Sequence, residues 1–335
     1  MRNIFLCLFS LLLASCLWAS DNITQLDISW KVLKQTNSPI SWALVQNSDL
    51  SIRYWQALTT NSLFKLKTPQ LRRAAYQAAW QKFATNRNQC PTDMVSVAGE
   101  MKDPNITLFK QNHACLDSPD WNAKYLCQHF DREKLSYTTE LNLPMHFCID
   151  RFEWPNIPGE FPATMLSYET SQKICQALGK ELCNEDQWTF ACEGANALPY
   201  PHGYDRYTQA NSSFPGHVVI GQGCQIDQFP RGRLNQNALM KNPYSARAMQ
   251  ELDRLWLALP AGQQSQCQSS FGVFDLTGNI EEWTQQVPGR PVNAHKAPSV
   301  LKGGYWTPVT SRCQGAELHH GPKHFYYQTG FRCCL

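Results

Sequence analysis

The chain opens on a short basic start and an unbroken apolar run, "MRNIFLCLFSLLLASCLWAS", which is too short to span a bilayer comfortably and has the build of a secretory signal. After it, 21–88 carries one strongly periodic segment, "TPQLRRAAYQAAWQKFATN", predicted as a helix with Thr68 as N-cap and Pro69 at the first helical position. From Cys90 onward long periodic segments give way to short apolar pieces among Trp, Tyr, Pro and Gly, so a domain boundary is drawn near Asn88. Two helices remain legible there. "SYETSQKICQALG" starts at Ser167, stops at Gly179 and puts Ile174, Cys175 and Leu178 on one face. "NEDQWTFACEG" starts from a capping-box pair, Asn184 and Gln187, and stops at Gly194. The stretch 225–266 reads as an insertion, a surface elaboration with an amphipathic helix over 246–259. No segment after the leader is apolar enough to cross a membrane.

Cysteine usage changes this picture most. Setting aside Cys7 and Cys16 in the leader, twelve of the 14 cysteines remain, an even number in a chain marked for export, which predicts disulfides. No CxxC pair is present and the nearest cysteines are the vicinal Cys333 and Cys334, which argues against a zinc site. A pairing of Cys224 with Cys267 is suggested by their flanking the insertion. Within the leader, "LASC" at 13–16 looks like a bacterial lipobox, making Cys16 the expected lipidation site; cleavage near Ala19 or Ser20 is the competing reading. The chain is therefore expected to be exported to the periplasm or cell envelope and to touch the membrane only through a lipid anchor. That compartment leaves the sequons at Asn22 and Asn105 without a role. A formal net charge of +3, with no run of Lys and Arg interleaved with aromatics, excludes a nucleic-acid-tracking surface.

Candidate chemistry concentrates in "GVFDLTGNIEEW" at 272–283. Asp-x-x-Gly-Asn is a way to write a tight turn, but the segment also gathers carboxylates and free carbonyls, the hard oxygen donors that calcium takes in sets of about six to eight. "ELHHGPKHFYY" holds His319, His320 and His324; with no acidic or histidine ligand at helical spacing it reads as a polar loop rather than a metal site.

Several segments together resemble the formylglycine-generating enzyme family, the sulfatase-modifying-factor domain: "FCIDRFEWPN", "ALGKELCNEDQWTFACEG", "LPYPHGYDR", "GVFDLTGNIEEW", "LKGGYW" and "TGFRCC". They follow the family's order over most of 89–335, whereas 21–88 lies outside the resemblance. It implies an α+β domain with a C-type-lectin-like fold, much irregular structure and two helices, dressed here as a disulfide-rich exported form. It also implies a calcium site formed by the side chains of Asp275 and Glu282 and the carbonyls of Gly278 and Ile280, and a second, weaker one near Asn211 and Ser212. The disulfides it implies are Cys175 with Cys333 and Cys192 with Cys313; Cys183 and Cys334 are then left over and expected to bridge. Pairing among Cys90, Cys115, Cys127 and Cys148 stays open.

Enzymes of the family oxidise a sulfatase cysteine with O2 and a copper(I) ion held by two thiolates, in the loop between "GG" and the next "RC". Here that interval, "YWTPVTSR", is short and has no cysteine. Tyr305 stands where the enzymes have a serine, and Glu281 where they have the first Trp of "GNxWEW". No catalytic residue is assigned, and copper is not expected. The related iron-dependent sulfoxide synthases need an HxxxHxE triad, absent here. The expected function is a calcium-stabilised, disulfide-rich binding module for a protein, peptide or glycan; a formylglycine-generating oxidase, or another thiol-based oxidoreductase using Cys183 and Cys334, is the alternative.

Overall fold

The computed structural model describes residues 90–116, 127, 129–136, 142–159, 161–164, 166–206, 224, 257–292, 294–305 and 311–335. The leader with Cys16, the expected helix after Thr68, the region of Asn211 and Ser212, and 225–256 lie outside the described residues.

Strand β1 (Met94–Lys102) runs antiparallel to β2 (Asn142–Asp150), from Met94 opposite Asp150 to Lys102 opposite Asn142. The second half of β2, Phe147 to Asp150, is buried on both faces, which is why "FCID" does not alternate. Between these strands lies α1 (Pro104–His113), a helix beyond the two expected. Asp103 caps it, Oδ1 accepting the N–H of Asn105 at 2.9 Å and of Ile106 at 3.3 Å, and Pro104 occupies its first turn. The same Asp-Pro signal was available in "KDPNITLFKQNH", but the weak apolar periodicity after it hid the helix.

Helix α2 (Tyr168–Ala177) is capped by Ser167 and ends before Gly179, which turns left-handed at φ 71°. β3 (Glu181–Leu182) leads into α3 (Glu185–Glu193), where Asn184 and Gln187 exchange both capping-box hydrogen bonds at 2.9 Å. Of the helix expected over 246–259, the described part, 257–259, is not helical.

The remaining strands are β4 (Glu281–Gln285), β5 (Ser299–Lys302), β6 (Ala316–Glu317), β7 (Thr329–Phe331) and β8 (Cys333–Cys334). They complete two four-stranded sheets, ordered β1-β2-β8-β3 and β6-β5-β4-β7, with β4 and β7 parallel. Only Arg332 separates β7 from β8, so the chain passes from one sheet to the other at that residue. Close approach is built in nearby: a Cβ on Gly330 would lie 2.4 Å from the Ala163 carbonyl oxygen and from Ile280 Cδ1.

One apolar cluster joins Trp154, Leu166, Ile174, Trp283, Leu301 and Phe331. A second joins Val97, Ile149, Trp188, Phe190, Val273 and Leu276. Trp283 buries its ring while Nε1 donates to the Leu166 carbonyl at 2.7 Å, satisfying the one polar atom an indole brings inside.

Six disulfides brace this loop-rich frame: Cys90–Cys148, Cys115–Cys127, Cys175–Cys333, Cys183–Cys334, Cys192–Cys313 and Cys224–Cys267. Successive strand residues face opposite ways, so the vicinal Cys333 and Cys334 reach different partners, one on α2 and one just after β3. The pairs 175–333, 183–334 and 192–313 each close more than a hundred residues of chain. In the chain-entropy model a loop of that length is worth about 4–5 kcal/mol against the unfolded state.

Candidate functional site

Residues 272–283 form a left-handed turn and then β4. Asp275, Gly278 and Asn279 have φ of 59°, 82° and 57°, the region that Gly, Asn and Asp enter most readily. The turn is pinned from behind by Gly278 N–H donating to the Gly303 carbonyl at 2.8 Å. Gly303 is itself left-handed at φ 83°, and a Cβ there would meet the Leu276 carbonyl oxygen at 2.7 Å.

From this frame the polar side chains reach inward. Asp275 Oδ2 accepts the N–H of Gly262 at 2.8 Å. Asn279 grips Leu259 twice, Oδ1 accepting its N–H at 2.7 Å and Nδ2 donating to its carbonyl at 3.2 Å, and Nδ2 also donates to Glu153 Oε2 at 2.6 Å. The other Glu153 oxygen accepts the N–H of Ile280 at 3.1 Å. The turn thus clasps the C-terminal end of the expected insertion.

Glu282 has a different partner. Both of its oxygens are held at 2.6 Å by Arg332, through Nε and Nη2, and Trp188 Nε1 donates to one of them at 3.0 Å. Arg332 spends its remaining donors on the carbonyls of Phe274, Asp150 and Arg151 at 3.0, 3.3 and 3.5 Å. Burial works against the guanidinium charge, but Glu282 first, then Glu153 and Asp275, outweigh it and raise its pKa above the ordinary value. Burial also pushes Asp275 up to about 7, against the pull of the Gly262 N–H and Arg332. Glu153 is raised well above the carboxylate range by burial, with Asp275 and Glu282 adding to it.

The structure therefore brings Asp275 and Glu282 of the expected calcium set into one buried cluster, in which the counter-charge present is a guanidinium. Both Glu282 oxygens face a guanidinium, one Asp275 oxygen faces an N–H, and the positive charge is supplied by Arg332. The N–H groups of Gly278 and Ile280, residues whose carbonyls complete the expected set, bond to Gly303 and Glu153. Among the described residues no group of three or more His, Cys, Asp or Glu side chains is placed to hold a metal ion.

Glu153 and Arg332 are the two participants that sequence reasoning missed. Arg332 is a lone charge in an apolar setting, "GFRCC", which is the sequence sign of a buried, paired charge, whereas Glu153 follows Asp150 and Arg151 in "DRFEWP" and carries no such sign.

The other candidate groups are also committed elsewhere. Cys313 is bonded to Cys192, and Cys183 to Cys334. His319 Nδ1 lies 2.6 Å from Glu317 Oε1, while the His320 and His324 rings stack at 3.8 Å, 5° from parallel. Lys302, just before the glycine pair, is buried over the Trp188 ring at 5.5 Å. Burial pushes its amine down to about 8, with Glu185 and Glu193 pulling the other way.

Residues 132–335 match the model of the family described as "Sulfatase-modifying factor enzyme 1-like domain". A curated protein of Bos taurus, "Inactive C-alpha-formylglycine-generating enzyme 2", is 27% identical over 182 residues, which is 52% of this chain and 50% of that protein. The chain spans about half the length of that relative. Among solved structures, "Crystal Structure of CarF" superposes with a TM-score of 0.36 at 12% identity, covering 72% of this chain and 97% of that one. "Treponema denticola variable protein 1" gives 0.36 at 11% identity, covering 72% and 94%. These two superpositions are too loose to carry an argument of their own; the family match takes in more than half of the chain.

Replacing Arg332 by Met leaves the buried Glu282 carboxylate without its counter-charge and is expected to cost about 3–5 kcal/mol in chemical denaturation; adding Glu282→Gln should return most of it. Thermal unfolding curves in EDTA and in millimolar calcium are expected to superimpose, and a calcium-dependent rise in Tm would put the ion back into this cluster. Glu281 yields a pH dependence of definite sign. Burial, with Glu317 adding to it, pushes its pKa up to about 8 against a hydrogen bond from Gln328, so the folded state holds a proton that the unfolded chain has already released above about 4.5. Its contribution is full below that value and is lost as pH rises through 8. Glu281→Gln is therefore expected to unfold at a higher temperature than the parent at pH 9 and to narrow that gap at pH 5.

Proposed function

The chain belongs to the sulfatase-modifying factor enzyme 1-like domain family, and from that premise we propose that it is a non-catalytic, disulfide-braced binding module of the family for a protein, peptide or glycan, exported by its leader and held at the cell envelope by lipid on Cys16. Its fold is the family's α+β, C-type-lectin-like one, with little regular secondary structure.

The observation that carries this reading is the state of the thiols. Every cysteine from Cys90 onward is in a disulfide, Cys313 included. Two-coordinate copper(I) needs a pair of thiolates, and the interval 305–312 supplies none. Support also comes from the curated relative, which is itself named as inactive.

Beside the glycine pair the chain offers rings. Tyr305 meets Tyr327 edge to face at 6.2 Å, Tyr326 lies 4.6 Å from Tyr327, and His324 lies 6.3 Å from Tyr326 and 6.4 Å from Trp283. Tyr305, Tyr327 and Trp283 are buried and back the array, while His324 and Tyr326 are half-buried at its edge. Rings with one apolar face and one polar tip suit sugar faces and peptide side chains, and these two are the proposed contact surface.

The purified, copper-loaded protein is expected to leave a Cys-x-Pro-x-Arg peptide unchanged in mass. Appearance of the aldehyde product would overturn the non-catalytic reading. On glycan and peptide arrays, hits are expected that weaken at least tenfold in Tyr326→Ala; retention of every hit in that variant would remove the ring array from the proposal.

A further inference from the structure

One disulfide differs in what surrounds it. Cys224 and Cys267 form a small buried cluster of their own. The Thr277 hydroxyl donates to Cys224 Sγ at 3.1 Å, and Cys267 Sγ lies 3.6 Å from the Thr277 carbonyl oxygen. His202 Nδ1 lies 3.6 Å from Cys224 Sγ, while His202 Nε2 lies 3.0 Å from the Asp205 carbonyl oxygen. The imidazole stacks on Tyr200 at 5.6 Å and 17°.

The Asp205 carbonyl decides the tautomer, because a carbonyl only accepts. Nε2 carries the proton and the Nδ1 lone pair faces the sulfur; beside the intact bridge burial lowers the ring's pKa and favours the neutral imidazole, against the Asp205 and Arg206 backbone and the Asp205 carboxylate. Sulfur nucleophile, imidazole base and a group that orients the base are the three parts of an activated thiol. In the disulfide the nucleophile is masked. Once the bridge is reduced, the Cys224 S–H has a base in front of it and the Thr277 hydroxyl as a second donor to the thiolate.

We propose that Cys224 and His202 form a redox-gated thiol site: reduction of the Cys224–Cys267 bridge by a dithiol unmasks a Cys224 thiolate paired with the His202 imidazolium, which exchanges with disulfides. This goes beyond the binding role above, which concerns the oxidised protein. In the reduction, the two sulfurs of the dithiol lose two electrons and two protons and become joined. The Cys224–Cys267 bond breaks through a mixed disulfide and takes up those electrons. One proton remains on Cys267, whose sulfur has the Thr277 carbonyl as acceptor, and the other passes from Cys224 to His202 Nδ1. In the reverse direction the Cys224 thiolate attacks a substrate disulfide and Cys267 resolves the mixed disulfide, restoring the bridge. Thr277, whose hydroxyl and carbonyl touch the two sulfurs, belongs to the Asp-x-x-Gly-Asn turn.

The test uses the full mature chain in graded dithiothreitol, with thiols trapped by iodoacetamide at a series of pH values and located by peptide mapping. Cys224 is expected to be labelled while Cys175–Cys333, Cys183–Cys334 and Cys192–Cys313 stay intact, with a labelling midpoint at least one pH unit below the ~8.5 of an ordinary thiol. His202→Asn should bring the midpoint back to the ordinary value and slow labelling at pH 7 about tenfold. Circular dichroism reports whether the variant folds, and the parent's pH profile stands without it. A parent midpoint near 8.5, equal profiles in parent and variant, or a bridge that opens only together with the other five would each overturn the site.

Discussion

The Glu282–Arg332 ion pair holds the two sheets to one another. Arg332 is the single residue between β7 and β8, where the chain leaves one sheet for the other, and its guanidinium reaches β4 through Glu282 and the end of β2 through the Asp150 carbonyl. A guanidinium has five N–H donors in a fixed plane, and here each finds an acceptor, so β4 and the end of β2 are tied to the crossing point by one side chain. Two charges removed from water are costly, and this pair offsets the cost by bidentate geometry and an indole donor from Trp188.

Around that pair, a domain with short strands and three described helices draws stability from covalent closure as well as from burial. The vicinal cysteines place two bridges within two residues of Arg332, tying α2 and the segment just before α3 to the same crossing point. Cys192–Cys313 ties the end of α3 to the segment after the glycine pair. Local irregularity in the backbone is thereby compatible with a single arrangement of the buried carboxylates, which requires positions held to a few tenths of an ångström.

The same covalent frame bears on the copper chemistry of the family's oxidases. Copper-thiolate chemistry needs free sulfur at the substrate face, and the sulfur of this domain is bridged. What lies by the glycine pair is a set of aromatic rings and, behind it, a buried lysine over Trp188. A scaffold kept with its sulfur bridged suits the proposed recognition role, and the histidine beside Cys224 marks the proposed thiol site.

Much of this architecture could be read along the chain, and the residues show which part. The ends of α2 and α3 were legible because a cap is a local device: Ser167, the Asn184 and Gln187 pair, Gly179 and Gly194 act within a turn of where they stand. The even cysteine count and the missing thiols at 305–312 are likewise properties of the string. The partner of Glu282 was not legible, since Arg332 lies 50 residues away and nothing local distinguishes a guanidinium from a metal ion as the counter-charge. Cys90–Cys148 and Cys115–Cys127 were open for the same reason, because pairing depends on which distant segments the sheets bring together. By itself the sequence determined the capped ends of α2 and α3 and the even set of cysteines; the tertiary structure alone decided who neutralises whom, because Coulombic and hydrogen-bond partners are chosen by distance in space rather than along the chain.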